Sequence, residues 1–308
     1  MGLSLIARLA SRTIRAIHSF RSTADALPER FVSRWTARQY VGAKGNRSDS
    51  DNGLYISLVE KANRNYRTFE HFKRHPHYTA VLEHVSREQG QKYIDVISRQ
   101  SPELVSRIDE FKINDRVGDP NTFLYSGIGR ISPTTLRYIK VASDLLRLFG
   151  DLNWVNVAEV GVGYGGQLLI LDHILRIRSY WLFDLPPVLD LTSRYLESHL
   201  LRTAYKKTTL NQCNGEEEFD LAISNYAFSE LPSHIQTMYA KKVFAKSKRG
   251  YLTMNSGAEG AHDRANNKLQ IDQLRTMLPA FDAVDEEPLT APGNYIIVWG
   301  HAQGSQRF

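Results

Sequence analysis

The chain has 308 residues, of which 42% are hydrophobic and 23% charged, an ordinary composition for a globular protein. Its single cysteine, Cys213, excludes an internal disulfide framework and a zinc site built from several cysteines. The formal net charge of +6 comes from residues 1–47, which hold nine basic and two acidic side chains, whereas the rest of the chain holds 30 and 31. The body is therefore nearly neutral, which argues against a nucleic-acid partner.

Residues 1–47 are predicted to form a basic amphipathic leader and linker. Apolar side chains from Leu3 to Phe20 recur every three or four positions, which predicts one apolar stripe of a helix with arginines largely opposite. Such a segment could be an organellar transit peptide, a helix at a membrane surface, or a helix packed on its own domain. No stretch approaches the ~18 consecutive apolar residues of a membrane span. We expect a cytoplasmic protein and hypothesise a weak peripheral contact of residues 1–24 with the inner face of the membrane.

Residues 54–133 are predicted to form a helical cap followed by a loop. From Leu54 to Phe111 the apolar residues have helical spacing, whereas residues 114–133 are rich in glycine and proline and have the composition of a long loop. A helix is predicted to begin after Pro133 and to end at Gly150.

Residues 134–308 predict an α/β domain. Short apolar runs alternate there with helical segments, and nearly continuous apolar strands are typical of a parallel sheet covered on both faces. The runs are 154–160, 180–184, 221–225, 250–255 and 295–299, and the helical segments are 167–177, 187–200 and 234–247. A short Pro/Gly turn region separates residues 280–286 from the last run, so the final two strands are predicted to be antiparallel.

The strongest functional pattern is a glycine turn between the first of these strands and the helix that follows it. Glu159 ends the strand, and Gly161, Gly163 and Gly165 lead into the helix. Glycines let the backbone turn sharply and approach a ligand closely, with helix N–H groups facing it. Asp184 ends the next strand, where a carboxylate can accept hydrogen bonds from both ribose hydroxyls. This combination predicts a nucleoside-containing cofactor.

Two cofactor classes are compatible with the glycine turn. Its spacing also satisfies the dinucleotide pattern, so an NAD(P)-dependent oxidoreductase is a serious alternative. An acidic residue two positions before the first glycine, here Glu159, is typical of methyltransferases, as is a C-terminal antiparallel strand pair. At this point the sequence resembles the class I S-adenosylmethionine-dependent methyltransferases.

Longer segments are similar to the sugar O-methyltransferase family. They are YSGIGRISPTTLRYIKVASDL (125–145), EVGVGYGGQ (159–167), YWLFDLPPV (180–188), FDLAISNYAFSELP (219–232) and SKRGYLTMNS (247–256), and the similarity covers roughly residues 120–300. The resemblance implies a Rossmann-like methyltransferase sheet that binds S-adenosyl-L-methionine and a sugar or glycan acceptor. It assigns the first cofactor motif to Glu159, Gly161, Gly163 and Gly165, ribose binding to Asp184, and the loop beside the methyl donor to Asn225 and Tyr226.

Methyl transfer to a sugar hydroxyl needs a base that takes the proton as the new bond forms. Candidates follow the predicted strands: Glu230, His234 and His262, each of which could instead be a helix-capping or solvated residue. Arg137, just inside the helix after Pro133, could bind the cofactor carboxylate or an acidic sugar, or could lie on the surface.

The sequence does not predict a metal site. Glu70, His71, His75 and His77 resemble ligand spacing, but Pro76 interrupts the helix that would have to present two of them together. We interpret this cluster as a solvated face.

The sequence thus predicts an S-adenosylmethionine-dependent O-methyltransferase that acts on a sugar hydroxyl during polysaccharide or glycolipid biosynthesis. Two alternatives stay open. One is an NAD(P)-dependent oxidoreductase that uses the same glycine turn, and the other is a catalytically silent methyltransferase-like protein that binds a partner. The oligomeric state is left open.

Overall fold

The computed structural model describes residues 53–256 and 268–301. The predicted leader of residues 1–47 and the candidate base His262 lie outside these ranges. Within the two ranges, no helix is both long enough and apolar enough to cross a membrane.

The helical region predicted ahead of the sheet is confirmed. Its helices are α1 (Gly53–Arg64), α2 (Tyr66–Glu70), α3 (Pro76–Thr79), α4 (Arg87–Gln100), α5 (Pro102–Ser106) and α6 (Ile108–Phe111), with 3-10 turns at Phe72–Arg74 and Lys112–Asp115. The prediction of a loop over residues 114–133 was wrong in part, because an antiparallel hairpin of β1 (Phe123–Tyr125) and β2 (Gly129–Ile131) lies there. Glycines mark turns between short strands as well as long loops, and Gly127, with φ 72°, lies in the turn of this hairpin.

Helix α7 (Pro133–Phe149) begins and ends where the sequence predicts. The side chain of Ser132 accepts a hydrogen bond from the Thr135 N–H at 3.1 Å, and Gly150, with φ 65°, follows the last turn. Unlike an ordinary surface helix, α7 is buried along almost its whole length. It packs against α4 and also against the helix Gly166–Ile174. Two of its buried charges are paired, with Lys140 Nζ 2.6 Å from Asp144 Oδ2.

The predicted α/β fold, a Rossmann-like methyltransferase sheet with a C-terminal antiparallel strand, is confirmed by the strand order. The strands are β3 (Asn156–Val160), β4 (Ser179–Phe183), β5 (Tyr205–Thr208), β6 (Leu221–Asn225), β7 (Gly250–Met254), β8 (Asp282–Asp285) and β9 (Tyr295–Trp299). They are arranged in the order β5-β4-β3-β6-β7-β9-β8. The first five are parallel, and β9 lies between β7 and β8, antiparallel to both.

Helices cover both faces of this sheet. They are α8 (Gly166–Ile174), α9 (Pro186–Leu196), α10 (Ala227–Glu230), α11 (Ser233–Lys242) and α12 (Ile271–Arg275), with a 3-10 turn at Phe244–Lys246. Successive side chains of a strand point to opposite faces, so Val157 belongs to one hydrophobic core and Ala158 to a second. Strands buried on both faces explain the nearly continuous apolar runs of the sequence.

Two details of the sheet domain differ from the sequence prediction. The helix predicted over 234–247 ends at Lys242, and a 3-10 turn takes its place beyond Val243. Strand β5 was not predicted, because Lys206 and Lys207 make it polar. This strand lies at the edge of the sheet, where exposed lysines are common because they discourage pairing with another chain.

The strand order places a topological switch between β3 and β6. The chain passes from β3 to β4 and β5 on one side, and then crosses to β6 on the other side of β3. In open α/β sheets, ligands bind outside the carboxyl ends of the strands at such a point. The residues that follow β3, β4, β6 and β7 therefore define the candidate site.

Candidate functional site

Gly161 follows β3 and lies directly against the segment that follows β6. Its φ is 80°, and a Cβ atom built on it would be 2.0 Å from the Cβ of Ala227. The N–H of Gly161 donates to the carbonyl oxygen of Phe183 at 2.9 Å, which ties the turn to the end of β4. A side chain at position 161 would push the two strand ends apart, so this glycine is required by close approach within the protein.

Gly163 connects the glycine turn to Asp184 and to the helical region. Its N–H donates to Asp184 Oδ2 at 3.3 Å, and Asp184 Oδ1 accepts from the Leu185 N–H at 2.7 Å. A Cβ atom built on Gly163, whose φ is 56°, would be 2.9 Å from Cδ2 of Leu82. Asp184, the acid predicted to bind ribose, thus contacts the glycine turn. Leu82 of the helical cap packs against the same turn at Gly163.

Glu159 is buried on β3 and bonded to a neighbouring strand. Its Oε2 accepts a hydrogen bond from the hydroxyl of Tyr180 on β4 at 2.7 Å. Burial raises the pKa of Glu159 to about 8, the Tyr180 hydrogen bond opposes that rise, and the charge of Asp184 adds to it. Burial therefore favours the protonated form of the Glu159 carboxyl.

Asn225 and Tyr226 follow β6, beside Gly161. The amide of Asn225 donates to Gln167 Oε1 at 3.4 Å, while its buried Oδ1 has no hydrogen-bond partner among the described residues. Tyr226 has a φ of 67°, which is rare for a bulky side chain and typical of strained positions at functional sites. Its hydroxyl donates to Oε1 of Glu286, at the end of β8.

Arg137 on α7 is buried. The sequence left open whether this side chain lies on the surface, and the structure places it in the interior. Its side chain is 7% exposed, and Nη2 donates to the carbonyl oxygen of Leu82 at 3.3 Å. The guanidinium carbon lies 5.8 Å from the ring centroid of Tyr226 and 5.7 Å from that of Tyr138. The arginine therefore joins the cap to the residue that follows β6.

Two of the three predicted bases, Glu230 and His234, lie among the described residues. Glu230 ends α10, and its Oε1 accepts from the side-chain amide of Asn255 at 2.9 Å, which brings it to the end of β7. His234 lies in the first turn of α11 and is exposed. Glu230 is thus the described candidate that joins the ends of two neighbouring strands.

Sequence reasoning missed a buried lysine beneath the glycine turn. Lys73 Nζ donates to the carbonyl oxygen of Asn114 at 2.7 Å and lies 3.9 Å from the ring centroid of Tyr164. Burial lowers the pKa of Lys73 to about 8, against the opposing effects of Glu83 and Asp115. No local pattern could have identified it, because the aromatic ring that contacts it belongs to a distant segment.

The described residues contain no group of three or more histidine, cysteine, aspartate or glutamate side chains that could hold a metal ion. In the cluster near residue 75, His71 Nδ1 lies 3.0 Å from Asp119 Oδ2; the His71 side chain is largely exposed and that of Asp119 is partly buried.

Comparisons with known proteins give the following likenesses. No family model and no curated protein sequence matches the chain. The PH0226 protein of Pyrococcus horikoshii OT3 is similar in structure at 11% identity and a TM-score of 0.43, covering 54% of this chain and 90% of that one. An S-adenosylmethionine-dependent methyltransferase of Clostridium acetobutylicum ATCC 824 is similar at 12% identity and a TM-score of 0.40, covering 53% of this chain and 88% of that one.

A third similar structure is magnesium protoporphyrin IX methyltransferase of Synechocystis PCC 6803, solved with bound SAH. It is 13% identical with a TM-score of 0.40, and the match covers 67% of this chain and 98% of that one.

Proposed function

We propose that this chain is an S-adenosylmethionine-dependent O-methyltransferase that transfers a methyl group to a sugar hydroxyl, in the assembly of a polysaccharide or glycolipid. The observation that carries the proposal is the contact between Asp184 and Gly163. It sets a half-buried carboxylate and a glycine turn side by side at the switch point of the sheet. A bound nucleoside uses both features. The carboxylate accepts hydrogen bonds from the two ribose hydroxyls, and the glycine turn lets the rest of the nucleoside approach the backbone closely.

The residues at the site fit S-adenosylmethionine. Asp184 would hold the ribose hydroxyls, and the turn from Gly161 to Gly165 would lie beside the rest of the nucleoside. Asn225 Oδ1, which is buried and lacks a partner among the described residues, offers an acceptor at the adjoining strand end. When bound, S-adenosylmethionine supplies an electrophilic methyl group on a positively charged sulfur.

The position of β9 favours a methyltransferase over a nicotinamide-dependent oxidoreductase. The dinucleotide-binding sheet has the strand order 3-2-1-4-5-6. In this chain the last strand is inserted between β7 and β8 and is antiparallel to both. That arrangement is the ending expected of a methyltransferase sheet.

The proposal of a sugar acceptor rests on residues 219–232, within which residues 225–230 are the most distinctive part of the resemblance to sugar O-methyltransferases. This segment supplies β6, Asn225, Tyr226 and Glu230, which lie where the acceptor would have to approach the methyl donor. A peripheral contact of residues 1–24 with the membrane stays a separate hypothesis, since those residues lie outside the described ranges.

Glu230 is the base that the geometry favours. The oxygen–carbon bond forms as the carbon–sulfur bond breaks, and Glu230 accepts the proton that the sugar hydroxyl loses. Asn255 holds Oε1 of Glu230 by a 2.9 Å hydrogen bond and so positions the carboxylate. His262 is kept as the alternative base, to be compared by substitution.

The proposal is tested by methyl transfer from radiolabelled S-adenosylmethionine to a panel of sugars, nucleotide sugars and glycans. We expect label in at least one acceptor. Below saturating S-adenosylmethionine, we expect Asp184→Asn to lower the labelling about tenfold or more, while Asp190→Asn, at an exposed aspartate of α9, leaves it unchanged. Binding of S-adenosylhomocysteine (SAH) without labelling of any acceptor would contradict the enzyme assignment and favour a catalytically silent binding protein.

A further inference from the structure

Arg137 and Glu83 are two buried, oppositely charged side chains in one region beneath the helical cap. Each is 7% exposed. The backbone of the cap brings them together, because Arg137 Nη2 donates to the carbonyl oxygen of Leu82, the residue before Glu83. Burial raises the pKa of Glu83, and the nearby charges of Lys73 and Arg137 oppose that rise, which places both cations within electrostatic range of the Glu83 carboxyl.

Each member of the pair leaves one polar atom unsatisfied. Among the described residues, neither Nε of Arg137 nor Oε1 of Glu83 has a hydrogen-bond partner, and both atoms are buried. Buried polar atoms are almost always hydrogen-bonded, because burying one without a partner costs free energy, and most of all when the group is charged. A cationic donor and an anionic acceptor left open in one place complement a ligand that carries a carboxylate next to a hydrogen-bond donor.

The pair lies beside the candidate site. Leu82 packs against Gly163 of the glycine turn, and the guanidinium of Arg137 lies 5.8 Å from the ring centroid of Tyr226, which follows β6. A ligand group held by the pair would therefore lie close to the ends of both β3 and β6.

We propose that Arg137 and Glu83 form a binding site for a carboxylate with a hydrogen-bond donor beside it, Arg137 binding the carboxylate and Glu83 the donor. This inference rests on the proposed function. Two molecules of the proposed reaction carry this chemistry: the amino-acid end of the methyl donor, with its ammonium group, and an acidic sugar acceptor, with its hydroxyls. Glu83 then contributes to ligand binding from the helical region, outside the resemblance seen in the sequence.

Calorimetry on the full chain separates the two sources. The ligands are SAH and 5′-methylthioadenosine, which lacks the amino-acid end, followed by glucuronate and glucose in the presence of saturating SAH. The variants are Arg137→Met, Arg137→Lys and Glu83→Gln. The matched controls are Arg176→Met and Glu88→Gln, both at exposed positions. Arg137→Lys keeps the charge but removes the planar guanidinium, so it reports on the geometry of the site.

If the cofactor is the source, the Arg137 and Glu83 variants weaken SAH binding about tenfold or more and leave 5′-methylthioadenosine binding unchanged. If the acceptor is the source, SAH binding is unchanged and the preference for glucuronate over glucose is lost. Retained binding of 5′-methylthioadenosine also shows that a variant is folded.

The inference is overturned if the variants bind both SAH and glucuronate as tightly as the wild type does. A wild-type chain that binds neither SAH nor 5′-methylthioadenosine contradicts the proposed function instead. In that case glucuronate and glucose binding are measured without SAH. Loss of the preference for glucuronate in the Arg137 and Glu83 variants supports the carboxylate site, and an unchanged preference overturns it.

Discussion

Lys73 of the helical region lies beneath the glycine turn, with its Nζ 3.9 Å from the ring centroid of Tyr164. The same ammonium donates to the carbonyl oxygen of Asn114, whose side-chain amide donates to the Tyr164 hydroxyl at 3.0 Å. A buried cation thus connects the cap to the loop that is proposed to hold the methyl donor. Its contribution to stability depends on pH, because burial lowers its pKa to about 8 from the usual 10.5.

The first prediction concerns Lys73→Met. The unfolded chain binds the lysine proton more tightly than the folded chain, so the Lys73 contribution makes the stability of the wild type rise with pH between about 8 and 10.5 and stay at its lower level below pH 8. The methionine variant lacks this dependence. We expect the difference in unfolding free energy, wild type minus variant, to increase by about 2 kcal/mol between pH 7 and pH 10. Denaturant unfolding of both proteins at the two pH values measures it, and a constant difference would contradict the buried lysine.

The second prediction concerns Glu159→Gln, which keeps an oxygen acceptor for Tyr180. The folded pKa of about 8 lies above the usual value of 4.5, so the contribution of Glu159 to stability is full below pH 4.5 and is lost as pH rises towards 8. The variant should gain about 3 kcal/mol relative to the wild type between pH 5 and pH 8. The readout is the unfolding free energy at each pH, and equal pH profiles would show that Glu159 is ionised in the folded protein.

The third prediction compares two glycines with positive φ. Gly161→Ala places a Cβ atom 2.0 Å from the Cβ of Ala227, whereas Gly127→Ala meets nothing within 4 Å. The left-handed conformation costs a non-glycine residue about 1–2 kcal/mol at either position, and overpacking adds about 1–3 kcal/mol at position 161 alone. We therefore expect the unfolding free energy of Gly161→Ala to be the lower of the two. Equal stabilities would contradict the close approach of β3 and β6.

The fourth prediction concerns the base. Glu230→Gln should lower the turnover number about 10²–10⁴-fold, because the amide cannot accept the hydroxyl proton. SAH affinity should be unchanged, and Glu218→Gln, at an exposed position, serves as the matched control. Full turnover in Glu230→Gln together with its loss in His262→Ala would move the base assignment to His262.

The sheet and the glycine turn could be predicted because their signals are local. The continuous apolar runs, the glycine spacing after Glu159 and the acid that ends the next strand can each be recognised from a short stretch of sequence. They placed Asp184 correctly at the end of β4, where it contacts the turn. The early end of α11 and the hairpin of β1 and β2 were missed, because glycine and polar residues are compatible with several local conformations.

The interior charges of the site could not be predicted in the same way. Lys73 and Glu83 belong to a helical region whose sequence looks like an ordinary solvated surface. Their burial follows from the packing of that region over α7 and the glycine turn, which brings together residues far apart in the chain. The same packing explains why Arg137 is an interior residue although its helix could equally have exposed it.

Calorimetry of the full chain with SAH and with NADH measures which of the two cofactors the site binds. We predict that SAH binds and NADH does not, and that Asp184→Asn weakens SAH binding about tenfold or more whereas the exposed Asp190→Asn leaves it unchanged. Preferential binding of NADH, or SAH binding that is indifferent to Asp184→Asn, would contradict it.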